Sequence, residues 1–242
     1  MILATHQPIF LPWPGFFAKG RHADVLVLLD RVQFPRGRTW LTRNRLKNET
    51  GELWLTVPVW RTGRGLQRID QVELAEERGW RAGHLRGIRQ NYAHAPYLAD
   101  WWPALAAIYA RRQGTLLAFN LELIRLLWTA LGCRARLVLQ SETGIEGRGT
   151  DLQARLGRHL GADRLALLPG VEKHLDEVAL RHAGLEPLRL NYRPITYPQL
   201  WGSEVQNLSA LDLLLNCGPR ARAIIDRGVV TPSPAGPRSP AR

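Results

Sequence analysis

Ile2-Leu3-Ala4-Thr5-His6-Gln7-Pro8-Ile9-Phe10-Leu11-Pro12-Trp13-Pro14-Gly15-Phe16 leads within a few residues to Asp24-Val25-Leu26-Val27-Leu28-Leu29-Asp30. The first four residues are a short apolar run ending in a hydroxyl, as in a buried strand. Three prolines between Pro8 and Pro14 forbid a helix interior and a central strand, so His6 to Gly15 reads as a stiff loop. Phe16 to Arg21 can form a helix. The run from Asp24 to Asp30 is continuously apolar between two acids, the mark of a strand covered on both faces. Strand, loop, helix and strand in thirty residues make a βαβ unit.

Outward from this unit, Trp54-Leu55-Thr56-Val57-Pro58-Val59 predicts a strand, moved towards a sheet edge by Pro58. Helices are expected near residues 76–90, 97–111 and 115–131. The last carries Leu117, Leu121, Ile124, Trp128 and Leu131 at spacings of three and four. Strands are expected at 136–140, 164–168 and 188–191, and helices at 151–160, 171–182 and 208–216. This alternation predicts an α/β fold: a mostly parallel, Rossmann-like three-layer sheet with helices on both faces and a helical insertion at about 76–131. Residues 1–228 are expected to form one domain. Residues 229–242, rich in Pro, Ser and Arg, are expected to be a disordered tail.

The chain has 242 residues, 45% hydrophobic and 22% charged, which excludes disorder over most of its length. No run of about 18 uncharged apolar residues suggests a membrane span. Met1 to Thr5 lacks a basic leader, and Cys133 and Cys217 stand alone, so a reducing cytoplasm is the expected setting. The net charge is +12, yet only Lys19, Lys47 and Lys173 among 33 basic residues are lysine. The excess is concentrated in residues 31–47 and 220–242. That distribution describes a basic site and a basic tail, not a surface coated for nucleic acid. No metal is expected, because the histidines show no ligand spacing with cysteines or acids. The sequence specifies no cofactor. There is no Walker loop, and Ser209 ahead of Asp212 reads as a helix start.

Ligands of open parallel sheets sit at the carboxyl ends of strands. His6 and Asp30 end the first two strands, which makes them the catalytic candidates. Gln7 and Trp13 belong to the same opening loop as His6, and Lys19 to the helix after it. Gln33, Trp40, Arg43, Asn44, Arg45 and Lys47 form a basic and aromatic cluster suited to a phosphate, with a base or sugar packed on Trp40. Alternation puts Arg43, Arg45 and Lys47 on one face if that stretch is extended. These eleven residues are the candidate site, and His6, Asp30 and at least one of Arg43, Asn44 or Lys47 are expected around a single cavity. The bland alternatives are a structural turn for the proline loop and a solvated basic loop for the cluster.

The strings His6 through Lys19, Asp24 through Phe34, Trp40 with Arg43-Asn44-Arg45, Trp54 through Val59, and Leu208-Ser209-Ala210-Leu211-Asp212-Leu213-Leu214 together resemble the WbqC-like family of bacterial proteins, to about residue 228. The resemblance implies a setting in O-antigen or other surface-polysaccharide biosynthesis more firmly than it implies a reaction. It also implies a glycine-rich turn after the fifth strand, reduced here to Pro169-Gly170. The order of strand, histidine loop and helix looks like that of nucleotidyl-transferring α/β proteins, with Phe16 where their second histidine falls. The expected function is therefore a group transferase acting on a phosphate-containing or nucleotide-linked precursor such as a nucleotide-sugar. The alternatives are a nucleic-acid-binding module, which the charge distribution disfavours, and a non-catalytic scaffold of a glycan-assembly complex.

Overall fold

The computed structural model describes residues 1–168 and 175–230. Its first elements are β1 (Ile2–His6), α1 (Pro14–His22) and β2 (Val25–Leu28). An antiparallel hairpin follows, β3 (Arg43–Asn48) with β4 (Gly51–Thr56). Three helices come next: α2 (Trp80–Asn91), α3 (Leu98–Ala110) and α4 (Leu116–Ala130). The alternating part resumes with β5 (Arg136–Leu139), α5 (Gln140–Thr143), α6 (Gly149–Leu160), β6 (Arg164–Leu167), α7 (Glu177–His182) and β7 (Glu186–Arg189). The last described elements are β8 (Asn191–Tyr192), α8 (Ala210–Cys217), α9 (Ala221–Gly228) and β9 (Val229–Val230).

Five strands form one parallel sheet in the order β5-β2-β1-β6-β7. Successive residues of a strand point to opposite faces, and here the faces feed two cores. Leu3, Val25, Val27, Leu165 and Leu167 pack with Leu152, Leu156 and Leu180 of α6 and α7. Ala4, Leu26, Leu28 and Ala166 belong to the larger core with α1, α4, α8 and α9. This is the three-layer α/β arrangement.

Helix α1 begins at Pro14, whose fixed φ suits a first helical position. It buries Phe16 and Phe17 completely, a burial worth about 1.5–3 kcal/mol each. Two of its glycines permit close approach. A Cβ at Gly15 would stand 2.1 Å from the Trp13 ring, and one at Gly20 would stand 2.2 Å from the Trp128 ring of α4. At its other end Arg21 forms two 2.5 Å hydrogen bonds with Asp226 of α9, pinning the late helix to the first one.

Several expected boundaries shift. The strand predicted at 54–59 is β4, which pairs only with β3 and lies outside the parallel sheet. The helices expected near 76–90, 97–111 and 115–131 are α2, α3 and α4. The segment 141–149, expected as loop, opens with the short helix α5. Helix α9 and the small β8–β9 sheet were not anticipated. The start of the helix expected at 171–182, the Pro169-Gly170 turn and the tail from Thr231 lie outside the described residues. Among the described residues no helix is long and apolar enough to cross a membrane.

Candidate functional site

Strands β1 and β6 are neighbours, but their onward connections lead to opposite sides of the sheet: β1 to β2, and β6 to β7. This is a topological switch point, where a crevice opens outside the carboxyl ends of the strands. His6 is the last residue of β1 and stands at that crevice.

The loop from Gln7 to Trp13 is held by partners from distant elements. Phe10 N–H donates to the Trp40 carbonyl at 2.9 Å, and Ala210 N–H at the start of α8 donates to the Pro12 carbonyl at 2.8 Å. Asn120 of α4, fully buried, donates to the Pro8 and Leu41 carbonyls at 2.8 and 2.9 Å. Asn44 of β3 donates to the Phe10 and Leu11 carbonyls at 3.2 and 2.7 Å. Leu11 has φ 41°, a left-handed conformation costly for a branched residue, and these contacts hold it there.

A cavity of about 490 Å³ opens on this loop, lined in part by His6, Gln7, Trp13, Trp40, Asn44 and Arg45. The His6 ring packs edge-on against Phe16, centroids 4.9 Å apart. Its Nδ1 lies 2.8 Å from the Gln7 carbonyl, which can only accept, so Nδ1 carries the proton. Burial, reinforced by the nearby Lys19 ammonium, pushes the His6 pKa down to about 3. The ring is therefore neutral at pH 7, and its Nε2 keeps a free lone pair; among the described residues that atom has no hydrogen-bond partner. Lys19 is 2% exposed and donates from Nζ to the Thr5 carbonyl at 2.9 Å. Burial lowers its pKa to about 8. It stands behind the histidine as a fixed positive charge rather than lining the cavity.

The remaining candidates divide. Trp40 is 51% exposed and stacks on Trp54 at 5.9 Å, forming the outer wall of the cavity. The Arg43 guanidinium lies 3.8 Å over Trp54 and faces a shallower neighbouring pocket lined also by Arg38, Thr39 and Trp40. Arg45 lines the His6 cavity but is committed to Glu52 and to the Gln206 carbonyl. Alternation does put Arg43, Arg45 and Lys47 on one face of β3. Lys47, however, is 1% exposed and donates to the Ser203 carbonyl at 2.5 Å, away from the cavity. Asn44 reaches the cavity wall with its amide already engaged by backbone.

Asp30 does not join His6. It is 1% exposed, accepts from Ser141 N–H at 3.0 Å, and lines none of the described cavities. The expectation of one cavity shared by His6 and Asp30 is corrected: β2 ends at Leu28, and the chain turns so that the carboxylate points towards the start of α5. Gln33 lines a different cavity, with Arg31, Arg68 and Gln140.

Sequence reasoning missed three contributors. Asn120 gave no signal, being one polar residue inside an apolar helix. Gln153 of α6, whose Oε1 accepts from Thr5 Oγ1 at 2.9 Å, steadies the residue before His6. Asn207, at φ 56°, closes the cavity from the far side. Asp212 anchors that segment: it accepts from Tyr92 at 2.5 Å and from Tyr197 at 2.6 Å, and burial raises its pKa despite both donors. Ser209 caps α8, accepting from Leu211 N–H at 3.2 Å, as its position ahead of Asp212 suggested. Among the described residues no three His, Cys, Asp or Glu side chains gather as metal ligands.

Fold and site together define a Rossmann-like three-layer α/β protein with a rigid, histidine-bearing loop at its switch point. The chain belongs to the WbqC-like protein family, which it matches over residues 7–224. It is 31% identical over 224 residues to Rv1507c, an uncharacterized protein of Mycobacterium tuberculosis, covering 90% of this chain and 95% of that protein. No solved structure matches it significantly.

Proposed function

We propose that the protein is a group transferase acting on a phosphate-containing, nucleotide-linked precursor bound in the His6 cavity. The observation that carries this reading is the state of His6: neutral, with its proton fixed on Nδ1 by Gln7 and Nε2 unprotonated, backed by the Lys19 charge. A buried cation behind the site favours an anion in it, and a preorganised field needs no reorganisation during reaction. In the transfer, an acceptor hydroxyl oxygen forms the new bond while the bond to the leaving phosphate breaks. The acceptor proton passes to Nε2 of His6, and the phosphate departs with the bonding electron pair in the positive field of Lys19, which stands behind the histidine. The bound anion raises the His6 pKa from its unliganded value and so makes the ring a competent base. Trp40 offers an exposed aromatic face to a base or sugar. A surface-polysaccharide pathway is the setting that the family resemblance implies.

The test is a thermal-shift screen of nucleotides, nucleotide-sugars and acyl-CoAs. A ligand at a hundred times its Kd should stabilise the protein by about 2.7 kcal/mol, a rise of about 5–10 °C for a chain of this size. The shift should vanish in His6→Asn. A screen in which no phosphate-bearing ligand raises the melting temperature contradicts the proposal.

A further inference from the structure

We infer that a second cavity, at the carboxyl ends of β2 and β5, binds the other substrate of the transfer, a hydroxyl-bearing phosphate ester. The role as second substrate rests on the transferase reading; the ligand chemistry rests on the cavity itself. Its volume is about 560 Å³, and its walls include Arg31, Gln33, Arg68, Gln140, Gly147 and Arg148. Two residues of its wall carry buried polar atoms without hydrogen-bond partners among the described residues, Gln140 at Oε1 and Arg31 at Nε. Buried polar atoms are nearly always paired, so these two call for a partner.

Gln140 is the informative one. It is 1% exposed and lines the cavity, and its Nε2 is spent on the Ile145 carbonyl at 3.0 Å. Its Oε1 is without a donor, and a ligand hydroxyl can supply one. Asp30 positions it: Oδ1 holds Ser141 N–H at 3.0 Å and so fixes the start of α5.

The other end of the cavity suits an anion. Helix α6 has twelve residues and begins at Gly149, and no side chain caps its first turn. Its free N–H groups and positive dipole end attract phosphate. Gly147 (φ 149°) and Gly149 (φ 49°) give the preceding turn a shape that non-glycine residues resist. The charges around it are mixed. Arg31 is paired with Glu146 at 3.1 Å, Arg68 with Asp70 at 3.1 Å, and Asp151 with Arg155 at 3.0 Å. Arg148 has no carboxylate partner among the described residues and is the cation left for a ligand. Leu29 N–H donates to the His6 carbonyl at 2.8 Å, so the two cavities open at the ends of adjacent strands.

The experiment is an amide NMR titration of the full chain with glucose 1-phosphate. The amides of Gly147, Gly149 and Thr150 and the side chain of Gln140 should shift together and saturate. Arg148→Ala should weaken binding by about tenfold, the usual value of a charge-assisted hydrogen bond, and Arg148 is exposed enough that its removal leaves folding intact. Gln140→Leu should weaken it comparably, and inorganic phosphate, which lacks the carbon-borne hydroxyls, should bind the wild type more weakly. His6→Asn should leave this affinity unchanged, so loss of the transferase reading would not mask the result. Unchanged affinity in Arg148→Ala, or shifts confined to Gln7, Asn44 and Arg45, would overturn the inference.

Discussion

Asn44 holds Leu11 in a left-handed turn: its Nδ2 donates to the Leu11 carbonyl at 2.7 Å from a residue only 3% exposed. The same nitrogen reaches the Phe10 carbonyl, so one side chain shapes the loop that carries His6 to its cavity. Asn44→Ala leaves two buried acceptors without this donor, at about 1–3 kcal/mol each. We expect a fall of about 2–6 kcal/mol in unfolding free energy with an unchanged urea m-value. A loss below about 0.5 kcal/mol, typical of a neutral surface change, would show that the loop holds itself.

Acid should destabilise the protein before most carboxylates titrate. Burial pushes His84 down to about 4 and His6 to about 3, against an ordinary value of 6.5. A depressed folded-state pKa means stability is complete above pH 6.5 and is lost as pH falls towards the folded value. His84, 6% exposed, contributes a slope of up to about 1.4 kcal/mol per pH unit. Urea midpoints should decline between pH 6.5 and 5, and less steeply in His84→Gln. A flat profile would place the His84 ring in contact with solvent.

Anion affinity should fall on the alkaline side. Lys19 loses its proton near pH 8, and a bound anion raises that value, so affinity drops as pH rises through 8, by up to about tenfold per unit. Lys19→Met should bind weakly and show no such dependence. Equal affinity at pH 7 and pH 9.5 in the wild type would remove Lys19 from the account.

The two thiols should be inert. Cys217 is 1% exposed, and burial raises the Cys133 pKa to about 12, so little thiolate exists at pH 8. Ellman's reagent should label neither on a scale of minutes until denaturant is added. Rapid labelling of the native protein would show that the α1–α4 contact opens.

The sheet was legible because its strands are short apolar runs between polar ends, and the period-2 faces of β1, β2 and β6 sort into two cores as such strands must. Helix α9 was missed because Ala221, Ile224 and Ile225 are sparse among arginines; its stabilising contact, Arg21 with Asp226, spans 205 residues. The placing of His6 was legible: a histidine that ends a strand ahead of three prolines was expected at the sheet's carboxyl edge, and it lines a cavity there. The basic cluster was harder. Arg45 and Lys47 look free in sequence, yet Glu52, Gln206 and Ser203 claim them only once the chain folds. Asp30 shares an edge with His6 but not a cavity, and sequence cannot show which way a side chain turns after its strand ends.

The central claim is that the cavity at the end of β1 binds phosphate beside a His6 that is neutral, with its proton on Nδ1 and Nε2 unprotonated. Nitrogen-15 NMR of histidine-labelled protein, titrated with pyrophosphate at pH 7, reads this atom directly. Free protein should show His6 as the neutral Nδ1–H tautomer. Added pyrophosphate should shift its Nε2 signal, in saturation with binding, while the ring stays neutral. A His6 signal that is already imidazolium, or one that stays still while pyrophosphate saturates elsewhere, would contradict the account.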